Sequence, residues 1–172
     1  IKFTEIAARD KLWLVVLCER YNVGRTNLLE LLRRVDIVPP SIALAQAAEE
    51  SGWGTSRFTL EGNALFGQWT FGDKNLLVPK ARDVGKEHGV RSFRSLLGAV
   101  RSYVLNLNTH RAYRGFRKER QNLRRKGLSV TGSSLVSTLT SYSERGKKYV
   151  RNIQTIIDSN KLQNLDTARL GS

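Results

Sequence analysis

The chain has 172 residues, 40% of them hydrophobic, which is enough for one sizeable core and sets the expectation of a single globular domain over 1–172. Its formal net charge of +14 draws it to anionic partners, whether nucleic acid, anionic lipid or an acidic cell-wall polymer, and charge alone does not choose among them. Cys18 is the only cysteine, which excludes an internal disulfide and a thiolate metal cluster and leaves a buried core thiol as the expectation.

In chain order, "FTEIAARDKLWLVVLCERYNVG" has apolar residues at helical spacing, with Thr4 as N-cap and Asn22 and Gly24 at its end. "RTNLLELLRRVDIV" repeats the pattern, capped by Thr26 or Asn27 and stopped by Pro39 and Pro40. These two helices form an N-terminal section over 1–38. Ser41 is expected to open a third helix, "SIALAQAAEES", whose small side chains let other elements approach its backbone and whose left-handed stop is Gly52. The Gly-rich stretch from Thr59 to Phe93, punctuated by Pro79, favours loops and a β-hairpin, giving a small β-lobe over about 70–94. Helical periodicity resumes at Ser95, and "SSLVSTLTSYSERGKKYVRNIQTIIDSNKLQNL" reads as two helices broken near Ser141 to Gly146. No apolar stretch approaches the ~20 residues that span a bilayer, so no transmembrane segment is expected, and a start at Ile1 fits a processed or trimmed form.

Glu49 and Glu50 end the third helix, where partial negative charge on the unpaired carbonyls favours cations over carboxylates. A carboxyl held there and screened from water by the nearby Trp53 resists ionisation. A raised pKa keeps a proton available near neutral pH, as a general acid for glycosidic cleavage requires. Neighbours on a helix point ~100° apart, so only one of the pair is expected to face a groove.

"LAQAAEESGWGTSRF" followed by "EGNALFGQW" resembles the glucosaminidases of glycoside hydrolase family 73, and within them most closely the Bax-protein group. "VRSFRSLLGAVRSYVLNLNTHRAY" and "LTSYSERGKKYVRNIQTIIDSNKL" resemble later family segments in the same order, so the likeness runs from Pro39 to Leu162. The resemblance implies a mainly α (α+β) fold: a lysozyme-like helical lobe with a small β-hairpin lobe, a groove between them, and hydrolysis of N-acetylglucosaminyl bonds in peptidoglycan. By the same resemblance Glu50, immediately before Ser-Gly-Trp-Gly, is the catalytic acid, and Glu49 is structural or solvated. Asn63, Phe66, Gly67 and Trp69 match a family loop; Trp69 offers a flat apolar surface to a sugar ring, while Phe66 is expected chiefly to pack in the core. Trp53 either walls the groove or sits in the core.

A second catalytic carboxylate falls on Asp83 or Glu87 of "ARDVGKEHGV", with Glu87 the nearer match to a glutamate that the family often carries on this lobe. Without it, the substrate's 2-acetamido group serves as internal nucleophile. Tyr142 matches a family tyrosine that orients that group or a water, and Tyr149 is expected in the core. With two histidines, His88 and His110, and no HExxH or phosphate-binding glycine loop, neither a metal nor a cofactor is expected. The basic run "RAYRGFRKERQNLRRKG" suits a nucleic-acid surface, a solvated helix face, or an enzyme of the anionic cell envelope. The last is favoured: peptidoglycan strands are the expected partner and nucleic acid is not. In that reading Arg117, Lys118, Arg120, Arg124, Arg125 and Lys126 are rim charges that aid encounter. A monomeric periplasmic or envelope enzyme follows, with a lytic transglycosylase or muramidase, or a non-catalytic basic binding module, as the alternatives.

Overall fold

The structure is a computed structural model that describes residues 6–25, 27–71, 76–77 and 88–168. It is mainly helical with one small antiparallel sheet. Helix α1 (Ala8–Arg20) starts beyond Thr4, which lies outside the described residues together with Thr26. Asn27 caps α2 (Leu28–Arg34), its side chain accepting the Glu30 N–H. The α2 helix stops at Arg34, short of Val38, because the next carbonyls are taken by side chains of a later helix, described below.

The two prolines act at the start of the next helix rather than as the end of the last. Pro39 is the N-cap and Pro40 the first residue of α3 (Pro40–Ser51), where a missing N–H removes no bond. Ser41 is therefore inside the helix and buried, its N–H and hydroxyl both donating to Asp166. Gly52 closes α3 in the left-handed conformation, φ 58 and ψ 51. A short helix α4 (Arg57–Gly62), capped by Ser56, occupies the start of the stretch expected to be loop and hairpin.

The sheet has three strands, β1 (Trp69–Phe71), β2 (Leu76–Leu77) and β3 (His88–Arg91), in the order β1-β3-β2. Trp69 pairs with Val90, and Leu77 pairs with Val90 from the other side. Gly62 fits beneath it because a Cβ there would collide with Leu77 Cδ1 and approach Ser92 Cβ.

After Ser95, which caps it, α5 (Leu96–Thr109) leads through a 3-10 turn (Arg111–Tyr113) into α6 (Arg114–Arg125). The final break falls where expected, between α7 (Gly132–Leu135) with its 3-10 extension to Leu139 and α8 (Lys147–Ser159). The core joins α3, α5, α6 and α8 through Ile42, Ala45, Tyr103, Leu107, Phe116, Tyr149, Ile153 and Ile157. Cys18 is fully buried. Among the described residues no helix is long and apolar enough to cross a membrane.

The basic run on α6 differs from expectation. Arg117 and Arg120 are buried at 2% and 0% exposure, while Lys118, Arg124, Arg125 and Lys126 are exposed. Arg117 donates to the Leu107 and His110 carbonyls at the end of α5, and Arg120 donates to those of Arg33, Asp36 and Ile37 at the end of α2. The negative end of each helix holds a cation inside the fold. Burial pushes the Arg120 guanidinium down, with Asp36 opposing, to about 10, so it stays charged at neutral pH.

Candidate active site

Glu50 stands in the last turn of α3 and lines a cleft of about 630 Å³ with Phe66, Gly67, Trp69, Tyr142, Glu144 and Arg145. A neighbouring hollow of about 390 Å³ shares Phe66, Gly67, Trp69 and Tyr142 and extends toward Gln68, Arg91, Asn106 and Tyr113. The structure thus brings together five of the residues singled out from the sequence: Glu50, Phe66, Gly67, Trp69 and Tyr142.

Each is placed by local chemistry. Trp69 begins β1 and is 59% exposed, a flat wall at the mouth of the cleft. Gly67 has φ 54, and a Cβ there would sit 3.4 Å from Glu50 Oε2, so glycine keeps the carboxyl open to the cleft. Phe66 is buried and stacks on Tyr103 with ring centroids 3.9 Å apart, so it is both core and cleft floor. Tyr142 donates to the Phe66 carbonyl at 3.3 Å and stacks on Tyr149 at 5.5 Å. Asn63 lies behind the cleft: its amide donates to the Phe93 carbonyl at 2.9 Å, tying the loop before the sheet to the segment after it.

Trp53 belongs elsewhere. It is 65% exposed and lines a separate apolar hollow with Leu44, Ala48, Leu65, Ile156 and Leu162, so it is neither core nor a wall beside Glu50. Three successive residues of positive φ, Gly52, Trp53 (φ 57) and Gly54, turn the chain away there. The aromatic residues that line the cleft with Glu50 are Phe66, Trp69 and Tyr142. Asp83 and Glu87 lie outside the described residues. The described carboxylate that shares the cleft with Glu50 is Glu144.

The electrostatics separate the two adjacent acids at the end of α3. Burial raises the Glu50 pKa; a hydrogen bond from Tyr149 and the charge of Arg145 oppose it, Glu49 adds to it, and the net shift is upward. Glu49 instead forms an ion pair with Arg145 at 2.7 Å. That pair sets the Glu49 charge beside the cation and partly offsets its pull on the Glu50 carboxylate. Arg145 also lies over the Tyr149 ring at 5.2 Å.

Gln46 escapes a sequence reading, and Tyr149 is in the core as expected but carries a polar contact that packing alone does not predict. Gln46 precedes Glu50 by one helical turn on the same face of α3, which is its only local signal. The Tyr103 hydroxyl donates to Gln46 Oε1 at 2.7 Å, and Gln46 Nε2 donates to the Tyr149 hydroxyl at 2.8 Å. Among the described residues no group of three or more His, Cys, Asp or Glu is arranged to hold a metal ion. The arrangement is therefore a protonatable carboxyl with a shielded, hydrogen-bonded back and an open front beside an exposed indole, a setting for acid catalysis on a sugar.

A family model described as mannosyl-glycoprotein endo-beta-N-acetylglucosaminidase matches residues 26–162, a span that contains every described residue of the cleft. The protein Bax of Escherichia coli (strain K12) is 40% identical over 139 residues, 77% of this chain and 49% of that protein. The chain thus spans about half the length of this relative. No solved structure matches. With four-fifths of the chain matched, from α2 past the end of α8, the protein belongs to the glucosaminidase family of glycoside hydrolases.

Proposed function

We propose that the protein hydrolyses β-linked N-acetylglucosaminyl bonds in the glycan strands of peptidoglycan, with Glu50 as general acid. The observation that carries this reading is the placement of Glu50: a carboxyl whose pKa burial raises, opening onto a cleft edged by Trp69 and floored by Phe66. A strand laid along the cleft stacks a pyranose face on Trp69, and Glu50 protonates the departing glycosidic oxygen. Tyr142, which lines the same cleft, is proposed to hold the 2-acetamido group or the attacking water. Glu87 is the proposed second carboxylate. If it does not face Glu50, the 2-acetamido group takes the nucleophile's part. The exposed cations Lys118, Arg124, Arg125 and Lys126, with the net charge of +14, favour encounter with stem-peptide carboxylates and an envelope location.

Mass spectrometry of the products from purified sacculi tests the reaction. Reducing N-acetylglucosamine ends are expected. Anhydromuramyl ends would make the protein a lytic transglycosylase, reducing muramic acid ends a muramidase, and no release a binding module.

A further inference from the structure

Tyr103, Gln46 and Tyr149 are each fully buried, yet a line of hydrogen bonds runs from Tyr103 through Gln46 to the Tyr149 hydroxyl. Tyr149 in turn lowers the pKa of Glu50, one helical turn from Gln46, as a hydrogen-bond donor. Its direction is fixed by its buried end. The Tyr103 hydroxyl needs an acceptor and finds Gln46 Oε1, which turns Gln46 Nε2 toward Tyr149. With its oxygen accepting from that amide, the Tyr149 hydroxyl directs its own proton to Glu50. Flipping the Gln46 amide would face the Tyr103 proton with an NH₂ group and let Tyr149 donate to Gln46 rather than to Glu50. A neutral amide that only filled space would need neither bond.

We propose that Gln46 is a positioning residue that locks the Tyr149 hydroxyl as a donor to the inner side of the Glu50 carboxyl. This rests on the reading of Glu50 as the general acid. The bond has two consequences. It holds the carboxyl's rotamer, with Oε2 beside Gly67 at the cleft. It also stabilises the carboxylate left after proton transfer, which keeps a buried acid from holding its proton too tightly. The line strengthens along its length, because each donor polarises the next. Ring packing keeps it in register: Tyr149 stacks on Tyr142 at 5.5 Å and 7°, and Tyr103 stacks on Phe66 at 3.9 Å and 8°.

Among the described residues the titratable and charged groups near Glu50 are Glu49 on α3, Tyr113 before α6, Tyr142, Glu144 and Arg145 in the turn before α8, and Tyr149 on α8. Only Tyr149 donates a hydrogen bond to the carboxyl among the influences that set its proton affinity. Removing that hydroxyl alone therefore isolates the line from the charges.

The test measures the titration midpoint of the Glu50 carboxyl by ¹³C NMR in protein labelled at the glutamate δ-carbon, assigned by loss of the signal in Glu50→Gln. Tyr149→Phe keeps the ring and is expected to raise the midpoint by on the order of 1 pH unit, the difference between hydrogen bonds to a charged and a neutral carboxyl. Gln46→Leu is expected to raise it in the same direction by less. In the pH profile of kcat/KM on sacculi, the alkaline limb moves up with the midpoint, because the acid must be protonated to act. A merely structural role predicts lower thermal stability with the midpoint unmoved, and that result in folded Tyr149→Phe overturns the proposal. The NMR readout needs no activity, so a shifted midpoint in a protein that cleaves nothing sustains the line and refutes only the glycosidase reading.

Discussion

Replacing Arg120 with Met separates a core cation from a surface one. The side chain is 0% exposed and donates three hydrogen bonds to the carbonyls of Arg33, Asp36 and Ile37, with its Nε 3.5 Å from Asp36 Oδ2. Met keeps much of the apolar stem but leaves three carbonyls without this donor, at about 1 kcal/mol or more each. It also removes one partner of a largely buried ion pair, a change that typically costs about 3–5 kcal/mol, and that range is the expected loss. For a chain of this length the loss corresponds to a fall of roughly 6–20 °C in Tm. The control is Arg124→Met four residues on, where the partner is the same Asp36 at 3.0 Å but the arginine side chain is 51% exposed. Its expected cost is about 0–1 kcal/mol. Urea unfolding followed by circular dichroism reads both. If Arg120→Met falls within ~1 kcal/mol of the parent, or Arg124→Met costs as much, then α6 does not tie the α2–α3 connection in place and the assignment of Arg120 to the core fails.

Trp69→Ala should leave Tm nearly unchanged, because the indole is 59% exposed, and should raise KM for sacculi roughly 3–10-fold through lost stacking. A large fall in Tm instead would make Trp69 a structural residue. Glu50→Gln should be more stable than the parent at neutral pH. The folded pKa of Glu50 lies above its unfolded value, so the folded state binds more protons between the two and loses stability as pH rises through that window. Glutamine removes this penalty, and the gain should vanish at about pH 3, below the carboxylate range. A Glu50→Gln variant with lower Tm than the parent at neutral pH contradicts a carboxyl destabilised by burial.

Much of the site is legible in the sequence because its signals are local. Two acids at the end of a helical run closed by Gly52 single out the pair Glu49 and Glu50, the family resemblance chooses Glu50 of the two, and Gly52 takes the left-handed conformation that its position demands. The break between α7 and α8 is equally local. What sequence reading misses depends on distant partners. Arg117 and Arg120 look like surface charge because their acceptors are backbone carbonyls, which no side-chain pattern reports. Gln46 and Tyr149 are 103 positions apart, so neither reveals the other. Trp53 misleads because its meaning depends on a backbone turn at φ 57, a conformation rare for a non-glycine residue. The helix α4 hides in a stretch whose glycines and short apolar pieces suggest only loop and strand, although Ser56 caps it.

The central claim, that Glu50 and not its neighbour delivers the proton, is tested most directly by turnover of purified peptidoglycan by Glu50→Gln beside Glu49→Gln, with circular dichroism showing that both are folded. Glu50→Gln should lose on the order of 10²-fold or more in kcat, because it keeps the shape and loses the transferable proton. Glu49→Gln should retain most of its activity, with an alkaline limb moved to lower pH as the unpaired Arg145 acts on Glu50. A folded Glu50→Gln variant as active as the parent would contradict the account, and an inactive Glu49→Gln beside it would move the acid one residue back along α3.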